Sequence, residues 1–184
     1  SIEEAKRFAE SIGYPVIVRP SYVLGGAVMK VAWNHKQLEE FLLRAAKVSK
    51  EHPVTVSKFI TEAMEVEVDG VSDGTNVVIG AVIEHLEYAG IHSGDATMII
   101  PPQRLTSYHI ETIKSYSKKI ARALKIVGPF NIQYLVKGNQ VSVIECNLRA
   151  SRSMPFVSKV KGINLMEYAA RALLGLGIEE IDEI

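Results

Sequence analysis

Residues 141–155 read Val-Ser-Val-Ile-Glu-Cys-Asn-Leu-Arg-Ala-Ser-Arg-Ser-Met-Pro, an alternating apolar run that ends in a polar loop. Glu145 and Asn147 lie two positions apart, so on a strand their side chains share one face. Arg149 and Arg152 follow at once. A carboxylate and an amide at a strand end, with two guanidiniums just beyond, suit a divalent cation and the phosphate oxygens that it neutralises. The competing reading is a core strand that stops in a polar loop, and spacing alone leaves both open.

The element that must position this strand is the one before it. Residues 130–136 read as a strand, and Lys137-Gly138-Asn139 turns it back. A two-residue turn at Gly138-Asn139 would place Gln133 opposite Ile144, facing away from Glu145. A three-residue loop would put Gln133 on the Glu145 face. We expect the odd loop, because Asn139 tolerates a positive φ, and with it Gln133 as a third oxygen ligand. Cys146 alternates away from this face and reads as core.

The remaining elements follow from periodicity. Residues 2–12 carry Ile2, Ala5, Phe8, Ala9 and Ile12 at helical spacing, stopped by Gly13. Residues 16–20 form a strand leading to a Gly25-Gly26 loop, and residues 27–33 return as a second strand. The tip of such a hairpin can present backbone N–H groups to phosphate oxygens. The plainer reading of Gly25-Gly26 is a tight turn, and no Gly-Lys-Ser/Thr is present to make it a Walker A loop. Residues 35–50 form an amphipathic helix ended by Pro53, and residues 54–60 a strand.

Residues 65–69 alternate, with Val66 and Val68 on one face and Glu65, Glu67 and Asp69 on the other. Three acids on one strand face ordinarily mean a solvated sheet surface. The alternative is a cleft mouth where one of them binds a sugar hydroxyl or a cation. Asp73-Gly74 signals a hairpin into residues 76–84. The polar stretch 84–96, with His85 and His92, reads as an active-site loop, although seven-residue spacing does not suit metal ligation by the two histidines together. Residues 106–125 form a long helix with Thr106 as N-cap, and residues 165–174 a closing helix stopped by Gly175. Several hairpin-joined strands with interspersed helices favour α+β over a parallel doubly wound sheet.

Composition narrows the class. The chain has 184 residues, 21 basic and 21 acidic, so no net field draws it to nucleic acid or to an anionic membrane surface. Its one cysteine supports neither a disulfide framework nor a zinc cluster. No apolar run approaches the ~20 residues of a membrane span, and no signal-peptide pattern is present. The expectation is a cytoplasmic or organelle-matrix protein with no nucleic-acid or membrane partner. Opening without methionine directly into a helix pattern, it reads as a portion of something longer.

Three motifs carry a resemblance: Val18-Arg-Pro-Ser-Tyr-Val-Leu-Gly-Gly26, then residues 84–96 (Glu-His-Leu-Glu-Tyr-Ala-Gly-Ile-His-Ser-Gly-Asp-Ala), then residues 143–159 ending Met-Pro-Phe-Val-Ser-Lys159. In this order they resemble the large subunit of carbamoyl phosphate synthetase, over nearly the whole chain. That family has two homologous ATP-grasp units, and the Gly25-Gly26 and Pro155 to Lys159 segments match the second better. The resemblance implies an α+β ATP-grasp fold of two lobes with nucleotide between them. Residues 1–60 would be the small lobe and 61–184 the large one, with a first subdomain before Ser1 and an allosteric region after Ile184.

It also implies roles. Arg19 would contact ATP phosphates under the Gly25-Gly26 loop. Lys58, Phe59 and Ile60 would form the hinge beside adenine, and Glu65 would bind the ribose hydroxyls. Ile91, His92 and Ser93 would line the nucleotide site. Gln133, Glu145 and Asn147 would hold Mg²⁺ or Mn²⁺ bridging the β- and γ-phosphates. Arg149 and Arg152 would serve the transferring phosphoryl group or carbamate. Glu87 would belong to a monovalent K⁺ site. Ala27 stands where some relatives place arginine, so that phosphate contact is absent.

The implied activity is ATP-dependent phosphorylation of carbamate to carbamoyl phosphate, serving arginine or pyrimidine synthesis, or urea formation in a mitochondrial matrix. The implied partners are a glutamine amidotransferase subunit or domain and the rest of the large subunit. No nucleophile and no general-base dyad stands out. That agrees with direct attack by an already nucleophilic carbamate oxygen, since phosphoryl transfer asks mainly for alignment and charge neutralisation. The alternatives are the bicarbonate-phosphorylating unit of the same family, a non-catalytic ATP-binding module, and a structural scaffold.

Overall fold

In the computed structural model, which describes residues 1–20, 29–48, 54–90 and 95–179, the chain divides into two compact units, Ser1–Thr61 and Glu62–Ile184. The Gly25-Gly26 loop, the segment holding Ile91, His92 and Ser93, and Pro53 lie outside the described residues.

The first unit starts with helix α1 (Ile2–Ile12), capped by the Ser1 hydroxyl on the Glu4 N–H at 3.2 Å and ended at Gly13 with φ 74°. Strand β1 (Val16–Pro20) is the centre of a three-stranded antiparallel sheet between β2 (Lys30–Ala32) and β3 (Val54–Lys58). Helix α2 (His35–Val48) begins where Asn34 Oδ1 accepts the Gln37 N–H at 3.0 Å. Ala9, Val16, Val18, Ala32, Leu38 and Leu42 form the core under both helices. Of the apolar stripe that the spacing picked out on α1, Ala9 is buried and Ile2, Ala5 and Ile12 pack against this core, while Phe8 is exposed.

The second unit is a five-stranded antiparallel sheet in the order β6-β5-β4-β7-β8. Its strands are β4 (Met64–Asp73), β5 (Val77–Tyr88), β6 (Met98–Ile99), β7 (Val127–Lys137) and β8 (Gln140–Asn147). Helix α3 (Ser107–Ala123), capped as expected by Thr106, packs with Ile113 and Ala121 against Val66, Val68, Phe130, Ile132 and Tyr134. On the opposite face, helices α4 (Met154–Lys161) and α5 (Leu165–Leu173) pack Met154, Val157 and Leu165 against Val71, Val78, Ala81 and Ile83. A bulge at Gly80, between the Asp69–Ala81 and Gly70–Ile79 pairs, lets Leu165 lie on the sheet; a Cβ there would sit 2.5 Å from Leu165 Cδ1.

Helix α4 is not among the expected elements. Its eight residues are too few for a periodic stripe to stand out, and Pro155 looks like a stop, although proline is at home in a first helical turn.

The β7–β8 turn also differs from expectation. Lys137 pairs with Gln140, so the loop is the two-residue Gly138-Asn139, with positive φ at Gly138 (56°) and not at Asn139. Gln133 nevertheless pairs with Glu145. The shift comes from a bulge: Tyr134 pairs with Val143, and Ile144 is the extra residue. The expected face is reached by a different device.

Candidate functional site

Strands β4, β7 and β8 are neighbours, and their register lines up two rows of polar side chains. Glu67, Gln133 and Glu145 form one row; Asp69, Asn131 and Asn147 form the next. The rows are two residues apart on every strand, so all six side chains leave the same sheet face. Further along that face the residues become apolar, beginning at Val71 under α4 and α5.

Hydrogen bonds tie the rows together. Asn131 Nδ2 donates to Glu67 Oε2 and to Asp69 Oδ1, both at 2.9 Å. Gln133 Nε2 reaches Glu67 Oε1 at 3.4 Å, and Asn147 Nδ2 reaches Glu145 Oε1 at 3.1 Å. Each amide spends its N–H on an acid, which leaves the oxygens of Gln133 and Asn147 as ligand atoms beside the Glu145 carboxylate. One carboxylate and two amide oxygens are a sufficient protein contribution to Mg²⁺, which keeps several waters.

The acids of β4 do not form a solvated surface. Glu65, Glu67 and Asp69 are 8%, 3% and 0% exposed. Alternation identified the shared face, but the elements that cover it lie far along the chain.

Burial raises the Glu65 carboxyl, and repulsion from Glu67 and Glu145 adds to this, against the His85 charge and an N–H from Gly90. Burial also opposes the charge on Glu67, but the His85 imidazole beside it, the hydrogen bond from Asn131 and the charge of Arg149 hold that carboxyl below its usual range. For Asp69, burial wins over the bonds from Ser153 and Asn131 and the nearby Ser151 hydroxyl, and its carboxyl is pushed up. Three buried carboxylates crowded together favour a cation.

His85, 1% exposed, brings Nε2 to 3.2 Å from Glu67 Oε1, within ion-pair reach but out of line for a hydrogen bond. The ligand atoms of Glu65, Glu67 and His85 lie within 4.8 Å of one another, close enough to share an ion. This buried acid–imidazole pair is one that the sequence did not announce. Behind it, Glu84 accepts from the Gln103 and Arg104 N–H groups at 2.8 and 2.9 Å and from Arg104 Nε, while Arg104 Nη2 donates to the His85 carbonyl.

Arg149 and Arg152 are exposed on the loop after β8, with Arg149 donating to the Ala150 carbonyl at 3.1 Å. In the first unit, Arg19 is exposed on β1. Lys58 Nζ donates to the Gly13 and Tyr14 carbonyls at 2.9 and 3.0 Å, and the Phe59 N–H to Pro15 at 3.1 Å, so these groups brace the α1–β1 turn. Phe59 packs edge-on against Trp33, and Ile60 is half-buried. Glu87 accepts the N–H and hydroxyl of Thr97 at 2.8 and 2.9 Å. Cys146 is partly buried against the α3 side of the sheet.

Sequence reasoning missed Asn131, Ser151 and Ser153 as parts of the site, and it offered Asp69 only as one of three acids on a strand face. The available signal was a recurrence: Glu67 and Asp69, Asn131 and Gln133, and Glu145 and Asn147 are the same two-apart polar pattern on three strands.

The fold matches solved structures closely. The biotin carboxylase domain of Hydrogenobacter thermophilus 2-oxoglutarate carboxylase, in complex with MgADP, ADP and bicarbonate, superposes with TM-score 0.81 at 22% identity, over 100% of this chain and 41% of that one. Biotin carboxylase from Campylobacter jejuni gives 0.77 at 22%, over 97% and 41%. The architecture is therefore an α+β ATP-grasp fold.

The chain belongs to the family described as carbamoyl-phosphate synthase L chain, ATP binding domain, whose profile matches residues 1–181. It is 51% identical over 179 residues to the carbamoyl phosphate synthase large chain, C-terminal section, of Methanocaldococcus jannaschii, covering 97% of this chain and 29% of that protein. It is 51% identical over 176 residues to multifunctional protein URA2 of Saccharomyces cerevisiae, covering 96% and 8%. With mitochondrial carbamoyl-phosphate synthase [ammonia] of Aquarana catesbeiana it shares 50% over 183 residues, covering 100% and 12%. The chain thus spans only 8% to 29% of these relatives. No helix among the described residues is long and apolar enough to cross a membrane.

Proposed function

We propose that this chain is the MgATP-binding part of a carbamoyl phosphate synthetase large chain, in the unit that phosphorylates carbamate. The observation that carries this reading is the pair of polar rows, Glu67-Gln133-Glu145 and Asp69-Asn131-Asn147, on one sheet face, buried at Glu67, Asp69 and Asn131 and partly exposed at Gln133, Glu145 and Asn147. Gln133, Glu145 and Asn147 hold the divalent cation, Mg²⁺ or Mn²⁺. Glu65 takes the ribose hydroxyls, and Arg149 and Arg152 meet the transferring phosphoryl group. Arg19, Gly25, Gly26, Lys58, Phe59, Ile60, Ile91, His92 and Ser93 complete the nucleotide contacts. The bracing of Lys58 and Phe59 limits their part to carbonyl groups and ring surface. A K⁺ ion beside Glu87 belongs to the same reading.

When bound, MgATP supplies the γ-phosphoryl group. An oxygen of the carbamate anion bonds to the γ-phosphorus as the bond to the β–γ bridging oxygen breaks, and ADP leaves with that electron pair. No proton need move to start this. The protein's residues align the reactants and spread the charge: one carboxylate and two amide oxygens fix the cation, and two guanidiniums face the equatorial oxygens. Assignment to the second unit is supported by the identity to a relative named as a C-terminal section.

The remaining large-chain segments, a glutamine amidotransferase subunit or domain, cytoplasmic or mitochondrial residence, and service to arginine or pyrimidine synthesis are proposed with the whole protein. The test is ATP formation from ADP and carbamoyl phosphate by the full-length protein, with Glu145→Gln as control. Loss of that partial reaction in the variant is expected. If the variant keeps it and loses only bicarbonate-dependent ATP hydrolysis, the chain is the bicarbonate-phosphorylating unit instead.

A further inference from the structure

Asp69 is fully buried, yet no cation pairs with it directly among the described residues, and the metal ligand set does not include it. Its oxygens are taken up by two donors. Ser153 Oγ donates to Oδ2 at 2.6 Å, and Asn131 Nδ2 donates to Oδ1 at 2.9 Å. Ser151 and Ser153 bond to each other at 3.0 Å, and Ser151 Oγ accepts the Met154 N–H at 3.0 Å, where α4 begins. These serines flank Arg152, and Arg149 lies two residues before Ser151. Both arginines are exposed, so little packing of their own holds them. The loop is fastened from beneath, by a carboxylate on the same row as Asn147.

We infer that Asp69 is a positioning residue that locks the Arg149–Arg152 loop through the Ser153 hydroxyl, which Ser151 bonds in turn, setting the two guanidiniums for the transferring phosphoryl group. The inference rests on the function proposed above for those arginines. A charge-assisted hydroxyl bond to a buried carboxylate is short and strong, and is well suited to holding a loop. Asn131 ties the same carboxylate to Glu67, so the arginine loop and the cation rows share one frame. Misplacement of a charge-stabilising group by about 1 Å costs up to about a hundredfold in rate.

The test compares Ser153→Ala, Ser153→Thr and Asp69→Asn with the unmodified full-length protein by two readouts. The first is hydrogen–deuterium exchange of residues 148–154, with α3 as internal reference; it does not depend on activity. In Ser153→Ala we expect exchange in the loop to rise about tenfold or more, with α3 unchanged. The second is ATP formation from ADP and carbamoyl phosphate. There kcat should fall about tenfold, with KM for ADP within about twofold, because the nucleotide contacts lie elsewhere. Ser153→Thr, which keeps the hydroxyl, should restore both. Asp69→Asn, whose amide oxygen can still accept from the Ser153 hydroxyl but without charge, should fall between. Unchanged loop exchange in both Ser153→Ala and Asp69→Asn overturns the lock. Faster loop exchange with kcat unchanged overturns the positioning role. Faster loop exchange in a protein whose unmodified form shows no partial reaction upholds the lock and overturns the assigned reaction instead.

Discussion

Gln133 stands directly opposite Glu145 across the β7–β8 ladder, although the turn that joins the two strands holds only two residues. The extra residue Ile144 bulges out between them and resets the register. The positive φ of the turn belongs to Gly138, where a Cβ would meet nothing within 4 Å. Gly138→Ala therefore costs stability through the backbone alone, about 1 kcal/mol, while Asn139→Ala stays within about 0.5 kcal/mol. Urea unfolding distinguishes them. The reverse order of the two losses would restore the three-residue loop that the sequence suggested.

Tyr134 and Ser117 share a hydrogen bond of 2.7 Å with both side chains fully buried, and burial pushes the Tyr134 hydroxyl up to about 12. Removing either partner strands the other. Tyr134→Phe and Ser117→Ala should each cost about 1–3 kcal/mol, and the double variant clearly less than their sum. Strict additivity in denaturant unfolding would mean that the bond contributes nothing.

Glu84 is fully buried, with Arg104 bonded both to its carboxylate and to the His85 carbonyl. Arg104→Ala leaves the carboxylate without its cation, at a cost of about 3 kcal/mol. Arg104→Lys recovers only part of this, because a single ammonium cannot reproduce the guanidinium's two-way reach. Thermal unfolding measures both, and equal stability of the two variants would contradict the account.

Asp73 accepts the N–H groups of Thr75, Asn76 and Ile178 at 3.0, 2.8 and 3.0 Å, and the Asn76 amide at 3.2 Å. Burial opposes its charge, but these bonds outweigh it and lower its pKa from 3.8 to about 2. A carboxyl depressed by folding stabilises the protein fully above its unfolded value and loses that contribution as pH falls through the folded value. The stability gap between unmodified protein and Asp73→Ala should thus be constant above about pH 5 and narrow between about pH 4 and pH 2. A gap that stays constant down to pH 2 would show that the carboxylate's charge is irrelevant.

How much was legible depended on how local the signal was. The helices α1 and α3 and the strand β7 carry their stripe, alternation and caps within their own residues, and the sequence shows them. The burial of Glu65, Glu67 and Asp69 was not legible, because alternation tells which side chains share a face and not what covers it. The bulge at Ile144 leaves no mark in an alternating apolar run. Helix α4 hid behind Pro155. The cation candidates Gln133, Glu145 and Asn147 do converge, while Asp69 and its serines needed the fold to bring β4 against a loop some eighty residues away.

The most direct test of the central claim is manganese binding in the presence of ATP, followed by the loss of the free Mn²⁺ paramagnetic signal in the full-length protein. The account predicts that Glu145→Gln weakens nucleotide-dependent binding by at least about tenfold, or ~1.4 kcal/mol, with the folded state intact. Equal Mn²⁺·ATP affinity in the two proteins would contradict it.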